Sequence, residues 1–267
     1  MKVLYFDCTN GISGDMLLNA LMELGECRAE VESAINNESL SHVHHYHNEE
    51  NAHHHDHERT HHGRSYKEVK HLIECSGFTR KSREYAEAIY RNIAEAEAAV
   101  HGETLESIHF HEVGRDQAIK NALGIGMALE EIAPDRIVVS PIYDGKGTII
   151  CSHGEIPVPV PAVRALMKKS TFVFRQADVD TEMVTPSGLA GLMGIGAMPE
   201  RSGTGAQAEC SVTGAQVSDF GAETAKCQYK SDYYTVIKET EVHGARMTGR
   251  GGLKAYLLRI EKAPQSL

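Results

Sequence analysis

The chain has 267 residues, a formal net charge of −10 and 24% charged residues, enough for one large domain or two smaller ones around a sizeable core. The acidic balance argues against a nucleic-acid footprint, and no apolar run approaches the length of a membrane span. Six cysteines, Cys8, Cys27, Cys75, Cys151, Cys210 and Cys227, include no C-x-x-C pair, so neither a disulfide framework nor a zinc ribbon is indicated, and thiol chemistry has to come from single cysteines.

The first residues run straight into a strand pattern with no signal-peptide shape, so a soluble, cytoplasmic protein is expected. Residues 3–6 are a short apolar run ending at Asp7, and residues 16–24, rich in Leu and Met, read as a helix with Gly25 as its C-terminal cap. The loop between them carries Gly11, Ser13, Gly14 and Asp15; Ser13 or Asp15 can cap the helix. Such a loop presents free backbone N–H groups to a phosphate. It is not a P-loop, because no Gly-Lys-Ser/Thr follows, and a Gly-rich turn is most often only a turn.

Residues 42–62 hold ten histidines, His42, His44, His45, His47, His53, His54, His55, His57, His61 and His62, and almost no apolar residue. A segment of that composition cannot offset its own ordering entropy, so a solvated, disordered loop is expected over residues 41–64. Neutral imidazole is a common ligand for zinc, copper and nickel, and a tract bearing this many offers several ligand sets to one ion. A purification tag would sit uninterrupted at a terminus. This tract is internal and interleaved with Glu49, Glu50, Asp56 and Glu58.

Residues 65–73 then read as a short helix that Gly77 breaks, and residues 82–100 as a long one, with Tyr85, Ile89, Ile93 and Val100 at helical spacing and Gly102 past its end. His101 has a sufficient structural reason there, since a cation is favoured at a helix C-terminus. In residues 108–114, Ile-His-Phe-His-Glu-Val-Gly, His109 and His111 stand two apart, so an extended chain puts both imidazoles on one face. That is half a metal site, or a half-buried strand whose histidines merely hydrogen-bond, and residue chemistry weighs the two equally. Glu112 turns inward only if a helix starts near Gly114.

Ile119, Leu123 and Met127 mark the next helix, and residues 137–140 a strand closed by Pro141. Farther on, period-two alternation puts Cys151 and His153 on one side, and thiolate with imidazole suits nickel, zinc or copper, although buried cysteine is usually only a small hydrophobe. Prolines 157, 159 and 161 predict an extended or polyproline stretch feeding a helix at Pro161. Thr185 or Ser187 precedes another helix and either caps it or binds an anion, together with Gly188. The glycine-rich, polar residues 206–267 hold one plausible hairpin, residues 233–237 with 256–260.

Several of these words resemble one family. Asp7-Cys8 and the run from Gly11 to Met16, Tyr90-Arg91, Val100-His101-Gly102, His109 to Gly114, His153-Gly154 with Pro157-Val158-Pro159, and Thr185-Pro186-Ser187-Gly188 are similar to the nickel insertion proteins that mature the nickel-pincer nucleotide cofactor of lactate racemase. A histidine-rich insertion after the first helices belongs to the same resemblance, which spans most of the first two-thirds of the chain. It implies a mixed α/β core over residues 1–189 and a divergent, glycine-rich segment over residues 190–267.

The activity it implies is that of a nickel chelatase, a lyase-type enzyme that inserts Ni2+ into pyridinium-3,5-bisthiocarboxylic acid mononucleotide and uses CTP with Mg2+ or Mn2+. The lactate racemase apoprotein would receive the product. Candidate catalytic residues are His109, His111, Glu112 and Asp15. Asp7, Gly11, Ser13, Gly14, Thr185, Ser187 and Gly188 are the candidates for holding the nucleotide, and the ten tract histidines with His109, His111, Cys151 and His153 for holding metal. Relatives of this kind are expected to carry two aspartates on the helix after the His-Phe-His-Glu word. This chain has Gln117 and Asn121 there, with Asp116 one place early.

Family members commonly have a further ferredoxin-like domain associated with nucleotide use. The chain is too short to hold all of it, so a separate C-terminal companion chain enters the expected partners, along with a homo-oligomeric state. The alternative function is a nickel store or metallochaperone in which the tract does everything. A zinc hydrolase built on His109, His111 and Glu112 lacks a third ligand at motif spacing and ranks last.

Overall fold

The computed structural model describes residues 1–40, 63–110, 113–151, 154–200, 224–226, 232–245 and 248–262. In chain order the elements are β1 (Lys2–Asp7), α1 (Gly14–Gly25), α2 (Arg28–Asn37), β2 (Arg64–Ser65), α3 (Tyr66–Cys75), α4 (Arg80–His101), β3 (His109–Phe110), α5 (Asp116–Ile132), β4 (Arg136–Val139) and β5 (Ile142–Asp144). They continue with β6 (Thr148–Cys151), β7 (Gly154–Pro157), α6 (Pro161–Lys169), β8 (Phe174–Gln176), α7 (Pro186–Gly194), β9 (Met198–Pro199), β10 (Thr224–Lys226), β11 (Asp232–Val242) and β12 (Leu253–Lys262). The fold class is α/β, as expected.

Six strands form one mixed sheet in the order β10-β11-β12-β1-β4-β9. β1 is its centre: β4 lies parallel on one side, with Leu4 opposite Ile137, and β12 antiparallel on the other, with Leu4 opposite Leu257. Strand alternation sorts the residues of β1 onto two faces. Leu4 and Phe6 join the main core with α1, α4, α5 and α7, whereas Val3 and Tyr5 join a smaller cluster with Tyr234, Tyr256 and Leu258. There the Tyr5 and Tyr256 rings are tilted, 6.1 Å between centroids.

Helix ends follow local chemistry. Ser13 Oγ accepts the Met16 N–H at the start of α1, Ser65 and Glu68 form a reciprocal capping box on α3, Thr79 caps α4, and Gly102 closes α4 in the left-handed region. The expected cap at Gly25 is displaced by one residue. Gly25 is the last residue of α1, and Glu26 takes the left-handed conformation. A side chain at Gly25 would meet Cys27 Sγ and Ile132 Cγ1 at 3.1 Å, so the glycine serves packing against the end of α5. Helix α2 is an element that periodicity does not single out, because only Val31 and Ile35 are buried on it.

The expectation of one extended strand through residue 153 is also corrected. β6 ends at Cys151 and the chain reverses, pairing Cys151 with Gly154 in an antiparallel hairpin with β7, so the alternation stops at Cys151. Residues 154–157 are extended as expected, but they pair with β6 despite Pro157. The C-terminal hairpin is present and longer than the sequence suggests, β11 and β12 covering eleven and ten residues.

Candidate functional site

The site forms where the loop after β1 meets the segment before α7. Ile12 and Val184 make a parallel bridge, the Ile12 N–H donating to Met183 O at 2.9 Å and the Thr185 N–H to Ile12 O at 3.0 Å. The two segments meet backbone to backbone, and glycine makes the approach possible. A Cβ on Gly188 would lie 2.6 Å from Ile12 O, and one on Gly14 2.9 Å from Ser187 Oγ. Gly11, at φ +85, is buried in the same contact.

Asp144 holds the second segment from below. Its buried carboxylate Oδ1 accepts the N–H groups of Gly145 at 2.8 Å, Met183 at 2.9 Å and Val184 at 3.1 Å. Sequence reading gives no sign of it, because Met183 and Val184 lie 39 and 40 residues away. Asp7 stays local: it ends β1 and its Oδ1 accepts the Thr9 N–H at 3.0 Å. The neighbouring Cys8 thiol is pushed far above its ordinary range by burial and by the Asp7 charge, which keeps it protonated and inert.

Three cavities open around this junction. The first, ≈ 390 Å³, brings His109, Cys151, Thr185 and Ser187 into one wall and adds Glu97 and His101 from the last turn of α4. His109 Nδ1 lies 2.8 Å from Ser107 O, and a carbonyl can only accept, so Nδ1 carries the proton and Nε2 keeps its lone pair for a metal. His101 Nε2 is 3.5 Å from Glu97 Oε2, a contact that the i, i+4 spacing could have revealed. Among the described residues no three His, Cys, Asp or Glu side chains are close enough to hold an ion together. His111, Glu112, His153 and the ten tract histidines lie outside the described residues.

The second cavity, ≈ 460 Å³, is lined by Ser13, Asp15 and Thr185 and faces His243 and Arg250 on the connection between β11 and β12. Glu182, only 4% exposed, lines both the first and the second cavity. Arg250 Nε donates to Asn10 Oδ1 at 3.3 Å. At α1 the N–H groups of Met16 and Leu17 are taken by Ser13, which leaves those of Gly14 and Asp15 for an anion. At α7, Pro186 has no N–H, and that of Gly188 goes to Thr185 Oγ1 at 3.1 Å. Thr185 is therefore the cap, and an anion there would meet the two hydroxyls and the Ser187 N–H.

The third cavity, ≈ 280 Å³, holds Gly14, Asp15, Gln117, Asn121 and Ser187. The two amides form a chain: Gln117 Nε2 donates to Asn121 Oδ1 at 2.8 Å, and Asn121 Nδ2 donates to Asp15 Oδ1 at 2.6 Å.

A sequence model of the family described as "Nickel insertion protein" matches residues 4–219. The chain belongs to that family. It is 35% identical over 218 residues to the pyridinium-3,5-bisthiocarboxylic acid mononucleotide nickel insertion protein of Acetivibrio thermocellus, a match covering 71% of this chain and 50% of the relative. It is 36% identical over 220 residues to the protein of the same name from Lactiplantibacillus plantarum, covering 71% and 52%. The Akkermansia muciniphila protein of that name is 36% identical over 211 residues, covering 71% and 50%. The chain spans about half the length of these curated relatives. No solved structure matches it. No described helix is long and apolar enough to cross a membrane.

In this nickel insertion family member, Asn121 donates to Asp15 where the resemblance leads one to expect a carboxylate. Asn121→Asp would set two carboxylates face to face, and the shared proton is then held more tightly in the folded than in the unfolded chain. The expected penalty is about 1 kcal/mol at neutral pH for an exposed pair. A raised folded-state pKa contributes stability at low pH, so the penalty is absent below the ordinary carboxylate range and appears as pH rises through the raised value. Urea unfolding of both forms at about pH 7 and about pH 3, below the ordinary aspartate pKa, checks it.

Proposed function

We propose that this chain binds Ni2+ and takes part in inserting it into pyridinium-3,5-bisthiocarboxylic acid mononucleotide, forming the nickel-pincer cofactor that lactate racemase requires. The observation that carries the reading is the first cavity, where metal donors, His109 Nε2 and Cys151, share a wall with Thr185 and Ser187 at a helix N-terminus. Insertion needs an ion held loosely enough to leave, a substrate held by its phosphate, and room to bring the two sulfur donors to the metal. Nickel is the substrate here.

His109, with His111 and Glu112 next to it in the chain, presents the ion together with Cys151 of the same cavity and His153, two residues after Cys151 in the chain. The second and third cavities contribute Asp15 as a base, and the loop of Asp7, Gly11, Ser13 and Gly14 carries the nucleotide phosphate with Thr185, Ser187 and Gly188. The ten histidines of residues 42–62 capture nickel. Their C-terminal end joins β2, whose Ser65 pairs with His109 in β3, so capture is tethered to the strand that presents the ion. CTP with Mg2+ or Mn2+ drives the reaction, with a companion chain among the partners. A homo-oligomer in the cytoplasm is the working state.

The test supplies cofactor precursor, Ni2+ and CTP with Mg2+ and measures activation of apo lactate racemase. His109→Ala is expected to lower activation on the order of a hundred-fold, the scale of losing a metal-orienting group. Deletion of residues 42–62 should cut bound nickel while leaving activation at saturating Ni2+. Full activation by His109→Ala, with loss only in the deletion, would instead make the protein a nickel store.

A further inference from the structure

Outside the three cavities, α3 carries His71 and Cys75 one helical turn apart on an exposed face. Cys75 Sγ lies 3.7 Å from His71 Nδ1 and 3.7 Å from Nε2. An ion bound at metal–nitrogen and metal–sulfur distances of about 2.05 and 2.3 Å sets those donors about 3.6 Å apart at a tetrahedral angle, and about 3.1 Å apart at a right angle. The spacing is that of a tetrahedral ion's two ligands, and because the sulfur stands equidistant from both ring nitrogens, a turn of the exposed His71 ring is what aims one lone pair at an ion shared with Cys75. On the same helix Lys70 pairs with Glu74 at 3.6 Å.

We propose that His71 and Cys75 form a two-donor surface site for a four-coordinate divalent transition ion, with water in the remaining positions. The site is separate from the cavity of His109 and Cys151 and does not depend on the insertion reading. Binding converts the thiol to a thiolate: the metal–sulfur bond replaces the S–H bond, the proton leaves to solvent, and imidazole donates a lone pair without a proton change. Two protein donors hold an ion weakly, and the open positions let another ligand take it away. The helix that carries the pair begins at Tyr66, four residues after the last histidine of residues 42–62.

The full chain is titrated with Co2+, whose thiolate complexes show a sulfur-to-metal charge-transfer band in the near ultraviolet and whose tetrahedral complexes absorb strongly in the visible. Residues 42–62 contain no cysteine, so the ultraviolet band does not report on them. The band is expected to persist in Cys151→Ser, which removes the thiol of the first cavity, and to be lost when Cys75→Ser is added to that background. His71→Ala should raise the titration midpoint about ten-fold or more, and Ni2+ should displace the band. Both substitutions sit on the helix surface, and matching circular dichroism of the variants establishes that they fold. In the Cys151→Ser background, a band that survives Cys75→Ser, a midpoint unmoved by His71→Ala, or no band at all overturns the proposal, whereas the insertion reading stands or falls on His109→Ala in the activation assay.

Discussion

Gly11→Ala is expected to destabilise the protein by about 3 kcal/mol and to abolish the site with it. The residue sits at φ +85, where a Cβ costs about 1–2 kcal/mol. That Cβ would also lie 2.2 Å from Met183 O and 2.7 Å from Met183 C and Cβ. Backbone cannot swing aside as a flexible side chain can, so the loop has to withdraw from the segment before α7, at the further cost of overpacking. Withdrawal breaks both hydrogen bonds of the Ile12–Val184 bridge, which hold Ser13 and Asp15 against Thr185 and Ser187. Gly102→Ala is the control, because that glycine has φ +68 and nothing within 4 Å of a Cβ. Chemical denaturation should show it losing only the conformational part, about 1 kcal/mol. Equal losses in the two variants would show that close approach is not what requires Gly11.

Asp144→Ala should cost roughly 3 kcal/mol or more, since it strands three buried N–H groups that share one carboxylate oxygen. Asp144→Asn keeps an acceptor and loses the charge, so it should fall between the native chain and the alanine variant. Amide exchange locates the damage: Met183 and Val184 should lose protection in Asp144→Ala before the central strand β1 does. Because Val184 carries the bridge to Ile12, the proposed nickel insertion should fall alongside. A variant that keeps protection at Met183 and Val184 would sink this account of how the Thr185 segment is positioned.

Both variants bear on features that sequence reading sees only by halves. Gly11, Gly14 and Gly188 are visible as glycines in loops before helices, and the reading as a phosphate cradle follows from that position. In the structure their first duty is to let two backbones meet, and the phosphate role rests on the few N–H groups left over. Thr185 is legible as a cap because the motif is local, and it is one. His101 is legible as a helix-end cation, whereas its place in the lining with His109 and Cys151 depends on the tertiary packing that brings the end of α4, β3 and β6 to one cavity. Glu182 and Arg250 carry no motif at all.

What the sequence determined by itself is whatever depends on neighbours a turn or two away: the strand–loop–helix opening, the cap at Ser13 and the close at Gly102, the Pro161 start of α6, the C-terminal hairpin, and the family through its short words. Backbone hydrogen bonding and side-chain spacing act over that range, so they leave a readable trace. Only the tertiary structure decided that β12 lies beside β1, that Asp144 pins residues 183 and 184, and that His109, Cys151, Thr185 and Ser187 share one cavity. Those are contacts between segments tens to hundreds of residues apart, selected by burying one common apolar core. No spacing along the chain records them.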